Sequence, residues 1–138
     1  MVTKKLISKN TYTYAIGRRK AAVATVKLFF GKGETTANKI AIEKYFPSKT
    51  SKIIYDRPFI VTDTLGKYYF QTKLTGGGKG GQVEALSLAL CRALVKINED
   101  YKPIIKPTGL LTVDSRVRER RMVGTGGKAR RQKQSPKR

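Results

Sequence analysis

Apolar and polar side chains alternate from Tyr12 to Ile16 and again from Ala21 to Phe30, where Ala22, Ala24, Val26 and Leu28 share one face and Val23, Thr25 and Lys27 the other. A period of two is that of extended chain, so both stretches are predicted strands, the second ended by the turn Gly31-Lys32-Gly33. A short strand is expected over Glu34 to Lys39, and a short helix over Ile40 to Phe46, closed by Pro47. Ser48 is expected to cap another helical turn running to about Tyr55. Pro58 to Thr62 is β-branched and apolar, and Lys67 to Leu74 alternates aromatic and polar residues beyond a turn at Leu65-Gly66. Two more strands are predicted there. From Gln82 to Asn98 the apolar positions Val83, Leu86, Leu90, Ala93, Leu94 and Ile97 recur at three and four, which predicts the core-facing stripe of a long helix with Arg92 and Lys96 on its outer face. Pro103 and Pro107 bracket a turn, and Gly109 to Val113 is the last apolar stretch. The chain thus divides into a globular α+β domain over residues 1–115 and an extended basic tail over residues 116–138.

Charge changes this picture more than size does. A chain of 138 residues, 39% of them hydrophobic, buries a modest core, but 30 Lys and Arg stand against 9 Asp and Glu, a net charge of +21. From Arg116 onward there are ten cations and one acid, Glu119, so removing the tail's nine net charges leaves the rest at about +12. Two basic surfaces are implied. Self-repulsion of this size opposes compaction unless a polyanion neutralises it, which points to nucleic acid. A membrane surface is disfavoured, because there is no run of about 18 apolar residues and no basic helix with a broad apolar face.

Cys91 is the single cysteine and cannot form an internal disulfide, while MVTKKLISKN lacks the long apolar segment of a secretory signal, so a reducing, cytosol-like compartment is expected. Histidine is absent, which removes the commonest general base and, with one cysteine, nearly every zinc arrangement. Neither catalysis nor a metal or cofactor is expected.

Four motifs remain, three of them basic, each with two readings. Gly76-Gly77-Gly78-Lys79-Gly80-Gly81 directly precedes the long helix. It does not fit a nucleotide-binding loop, since Gly80 stands where Ser or Thr must meet magnesium. Its backbone N–H groups and Lys79 could hold an RNA phosphate, or its glycines could simply permit positive φ between strand and helix. Arg18, Arg19 and Lys20 enter a strand whose successive side chains alternate in direction, so they cannot all turn inward; they are either solvated surface charge or phosphate contacts. The tyrosines at 12, 14, 55, 68, 69 and 101 are core or rim residues, or stacking platforms for unpaired bases. Arg116, Arg118, Arg120 and Arg121 run into Gly124-Thr125-Gly126-Gly127, which breaks any helix. The fifteen residues from Gly124 would reach about 50 Å if extended. They are either a probe or a solubilising tail.

Taken in order, IGRRKAAVATV, LTGGGKGGQVEAL, KPTGLLTVDSRVRERR and the KARR…KR ending resemble the small-subunit ribosomal protein of the universal S-nine family, in its bacterial or organellar form. The resemblance spans about Tyr14 to Arg138. It implies an α+β domain of the ribosomal S-five domain-two-like fold, a four-stranded sheet packed on helices with a long basic C-terminal tail, acting as a structural constituent of the small subunit without catalytic activity. Its partners would be small-subunit rRNA in the head, peptidyl-site tRNA and neighbouring proteins of the head, in a cytoplasmic or organellar ribosome. By resemblance, Arg18, Arg19, Lys20, Gly77, Gly78, Lys79, Arg116, Arg118, Arg120, Arg121, Lys128, Arg130 and Arg131 bind rRNA, and Lys137 and Arg138 touch the tRNA anticodon stem. The ending departs from the family pattern, with Lys133 at its proline, Ser135 at its aromatic and Pro136 at its serine, and the Val123 to Gly127 hinge one residue longer. Two readings from other classes stand beside this one: a free-standing nucleic-acid-compacting protein, and an NTP-dependent enzyme that lacks a recognisable phosphate loop.

Overall fold

The two alternating stretches near the start of the chain pair with each other. In the computed structural model, which describes residues 11–120, β1 (Tyr12–Arg19) and β2 (Ala22–Phe30) form an antiparallel hairpin with Tyr12 opposite Phe29 and Arg19 opposite Ala22. β2 then pairs antiparallel with β5 (Tyr68–Thr75), Val23 opposite Thr75 and Phe30 opposite Tyr68. β3 (Thr36–Ala37) joins β5 in parallel and turns through Asn38 and Lys39, both at positive φ, into β4 (Ile40–Ala41). The mixed sheet has the order β1-β2-β5-β3-β4. It has five strands where the resemblance implied four, the two shortest forming a small hairpin at one edge.

The helices are α1 (Ile42–Tyr45), α2 (Lys49–Val61), α3 (Lys79–Ile97) and α4 (Tyr101–Ile105), followed by a 3₁₀ turn, Lys106–Thr108. Alternation along β2 buries Ala22, Ala24, Val26 and Leu28 against α3, from which Val83, Leu86, Ala89, Leu90, Ala93 and Leu94 point inward. The predicted helical stripe is therefore the core, except that Ile97 is only partly buried. Each of the fully buried leucines contributes about 1.5–3 kcal/mol of transfer free energy.

The strand predicted at Pro58 to Thr62 is instead the end of α2. Helical spacing places Tyr55 and Phe59 on one buried face, where Phe59 stacks on Phe70 of β5 at 6.1 Å and Tyr55 meets it edge-on at 6.4 Å. Burying these rings outweighs the β preference of Ile60 and Val61, worth only tenths of a kcal/mol per residue. Thr62 ends the helix by donating its hydroxyl to the Pro58 carbonyl at 2.9 Å. Ser48 stands at the N-cap of α2 but makes no side-chain capping hydrogen bond. Ile40 and Ala41, expected to begin a helix, form β4 because β3 turns back beside them.

Arg92 and Lys96, on the predicted outer face of α3, reach over the sheet edge. They donate to the carbonyls of Ile16 and Tyr14, each at 2.7 Å. β1 is an edge strand, and these charge-assisted bonds occupy acceptors that could otherwise template pairing with another chain. Cys91 lies in the core, where burial pushes its thiol up to about 12, so it packs as a small hydrophobe.

Candidate nucleic-acid interface

The three basic motifs converge at one end of the sheet. The β1–β2 turn presents Arg18 and Lys20 to solvent, Lys20 at φ 53. Beside it the glycine loop leads into α3, and Gly76 and Gly77 have φ of 68 and 61. Side chains there would collide with the hairpin: a Cβ at Gly76 would stand 2.5 Å from the Ala21 carbonyl oxygen, and one at Gly77 3.0 Å from the Ala22 nitrogen. These two glycines thus let the loop lie against the turn. Gly78, the N-cap of α3, has open space around it.

Alternation along β1 puts Arg18 on the exposed face and Arg19 on the helix side. Arg19 is only 14% exposed, and its Nε donates to Glu84 Oε2 at 2.5 Å. Its Nη1 stands 3.2 Å from Asp114 Oδ1 and donates to the Arg116 carbonyl at 3.3 Å. Asp114 in turn accepts both the backbone N–H and the guanidinium fork of Arg116, at 2.7–3.2 Å. The hydrogen bonds from Arg116 hold the Asp114 carboxyl well below the usual carboxylate range, so the carboxylate stays charged as pH falls toward 4. A hairpin, a helix and residues 114–116 are thereby clasped through one guanidinium.

Lys79 is also engaged within the protein. Its Nζ donates to the Tyr45 carbonyl at 3.2 Å and lies 3.1 Å from the Tyr45 ring centroid, a cation–π contact that ties the start of α3 to α1. Tyr45 continues the connection through its hydroxyl to Gln82 Oε1 at 2.8 Å, and Gln82 Nε2 donates to the Gly76 carbonyl at 3.0 Å. Arg116, Arg118 and Arg120 are exposed. Arg121, Lys128, Arg130, Arg131, Lys137 and Arg138 lie outside the described residues, as do Val123 to Gly127, Lys133, Ser135 and Pro136.

The Arg19 clasp is testable alone. Arg19→Gln is expected to leave the fold intact and to weaken the hold on residues 114–116 by about 1 kcal/mol, because Glu84 and Asp114 are partly solvated. Hydrogen exchange at the Arg116 amide should quicken about fivefold. An unchanged rate would show that the Asp114–Arg116 pair holds this segment unaided.

Among the described residues there is no group of three or more potential metal-ligating His, Cys, Asp or Glu side chains, and no helix is long and apolar enough to cross a membrane. The model of the family described as ribosomal protein S9/S16 matches residues 17–138. The small ribosomal subunit protein uS9 of Porphyromonas gingivalis is 49% identical over 127 residues, covering 92% of this chain and 98% of that protein. Those of Maridesulfovibrio salexigens and Lawsonia intracellularis are 42% and 40% identical, over 84% and 82% of this chain and 89% and 87% of theirs. With Arg116, Arg118 and Arg120 exposed near the glycine loop's end of the sheet and this agreement along its length, the chain belongs to the ribosomal protein S9/S16 family, structural ribosomal proteins of the small subunit rather than enzymes.

Proposed function

We propose that the protein is a structural constituent of the small ribosomal subunit that binds rRNA in the head and sends its C-terminal tail to the peptidyl-tRNA site. The carrying observation is the meeting of the Arg18–Lys20 turn, the glycine loop and the root of the tail at one end of the sheet. Phosphate contacts fix position without reading sequence, so exposed Arg18, Lys20, Arg118 and Arg120 suit a folded rRNA whose shape supplies specificity, while a phosphate reaching exposed Arg116 must share it with Asp114. Arg19 and Lys79 stand behind them; a phosphate reaching Arg19 must compete with two carboxylates, and one reaching Lys79 must draw it from Tyr45. Gly77 and Gly78 offer backbone at the start of α3.

In this reading residues 1–115 form an S-five domain-two-like domain and residues 116–138 the tail. Arg121, Lys128, Arg130 and Arg131 anchor the tail in rRNA, and Lys137 and Arg138 touch the tRNA anticodon stem, with neighbouring head proteins as further partners. Deleting Lys137 and Arg138 should lower tRNA affinity in the peptidyl site up to about tenfold, in a salt-sensitive way, while subunits still assemble. Filter binding of tRNA to reconstituted subunits measures this. Unchanged tRNA affinity with failed assembly would reverse the division between anchor and probe.

A further inference from the structure

Strand register turns the outer side of the sheet into a grid. Its rows across β1, β2 and β5 are Tyr12-Phe29-Tyr69, Tyr14-Lys27-Gln71, Ile16-Thr25-Lys73 and Arg18-Val23-Thr75. Helices α2 and α3 pack on the opposite side, through Tyr55, Phe59 and the buried residues of α3, and the grid stays open, with Tyr12 and Tyr14 45% and 44% exposed. Phe29 stacks on Tyr69 with centroids 5.0 Å apart and planes 10° from parallel, and Tyr12 extends the row at 5.7 Å. Gly33 closes the far end, where a Cβ would stand 2.7 Å from the Tyr69 ring. The accessible end of the row is therefore Tyr12.

Beside the aromatic row lies a hollow of about 590 Å³ that gathers Lys27, Lys39 and Lys73 with the hydrogen-bonding side chains of Thr25, Thr36 and Gln71. No grid residue and no residue lining the hollow is acidic. Lys27 Nζ sits 5.0 Å from the Tyr12 ring centroid and joins the two features.

This pairing of chemistries selects its occupant. Three lysines lining one hollow without a carboxylate favour phosphate, and an aromatic edge favours a flat apolar ring; an unpaired nucleotide presents both. Duplex RNA keeps its bases stacked and paired, out of reach of such a row. A protein docking here would have to bury three uncompensated lysines or bring its own acids to them. We propose that the open sheet face receives an unpaired segment of RNA, with backbone phosphates in the Lys27–Lys39–Lys73 hollow and a base against Tyr12. The inference rests on the rRNA-binding reading and adds a second surface to it, separate from the tail.

Two measurements on the full chain test it. The triple variant Lys27→Gln, Lys39→Gln, Lys73→Gln changes exposed side chains only and should fold as before. It should lower the slope of log affinity against log salt for small-subunit rRNA by about 2 units, near 0.7 per lost single-strand contact. Tyr12→Leu should weaken binding on the order of tenfold, and Tyr12→Phe should retain it. A benzophenone amino acid at position 71, in assembled subunits, should crosslink to RNA. An unchanged salt slope in the triple variant, or crosslinks only to another protein or to this chain, overturns the proposal. If the wild type still prefers small-subunit rRNA over random RNA, the broader reading stands without this face. If the wild type shows no such preference, the broader reading falls as well.

Discussion

Gly17→Ala is expected to destabilise the protein by about 3 kcal/mol and to lower its melting temperature on the order of 10 °C. Gly17 lies on the buried side of β1, where α3 crosses the hairpin. A methyl group there would stand 2.7 Å from the backbone nitrogen of Ala89 and closer still to the carbonyl oxygen of Ala85. Both are backbone atoms of a helix interior, so no side chain can rotate to make room. Either α3 must lift off the sheet, opening its contacts along β1 and β2, or β1 must bow outward and lose the edge carbonyls that Arg92 and Lys96 cover. Gly78→Ala is the matched control: nothing lies within 4 Å of the new atom, and φ there is −100, so its unfolding free energy should stay within about 0.5 kcal/mol of wild type. Equal urea midpoints for Gly17→Ala and wild type would mean that strand and helix are not packed this closely.

The example separates what the sequence makes legible from what it hides. Alternation along Ala22 to Leu28 and the three-four spacing of Val83, Leu86, Leu90 and Leu94 are properties of single elements, and those elements formed, although α3 begins at Lys79, three residues before the start read at Gln82, and takes Gly80 and Gly81 into its first turn. Gly17 could not be assigned its role by pattern, because the atoms that exclude a side chain there come from a helix about seventy residues later. Asn38 was hidden for the same reason. It takes a positive φ in a two-residue turn, and its side chain bonds both the N–H and the C=O of Leu74, at 2.8 and 3.0 Å, like a short extra length of strand. The misread segment at Pro58 to Thr62 reflects local preference yielding to long-range packing on Phe70.

Charge was legible in amount and not in allocation. Counting cations gave the polyanionic partner, and the motifs gave the three segments that meet. It could not distinguish Arg19, Arg92, Lys79 and Lys96, which donate to the protein's own carboxylates and carbonyls, from Arg18, Lys20 and Lys73, which are exposed and make no such bond among the described residues. Pairing is decided by which face of a strand or helix a cation occupies and by what the fold brings opposite. Arg18 and Arg19 are adjacent in sequence and fall on opposite sides of one strand.

That allocation sets the second large expectation. Ending the chain after Arg116 should leave the melting temperature within a few degrees of wild type, since the Arg19 bond to the Arg116 carbonyl and the Asp114 pairs remain. The same cut removes nine cations and one acid. If about half of those cations meet phosphates, the salt slope of rRNA binding falls by at least about 3 units, and affinity at 0.1 M salt falls on the order of a thousandfold. Residual binding should come from the hairpin turn and the open sheet face, so it should be lost further when Lys27, Lys39 and Lys73 are replaced in the truncated chain. Fluorescence titration of labelled rRNA across a salt series resolves both steps. A truncated protein with the wild-type slope would place the whole electrostatic grip in the folded domain and leave the tail's charge without an rRNA role, whereas a truncated protein with no measurable binding would deny the domain any grip of its own.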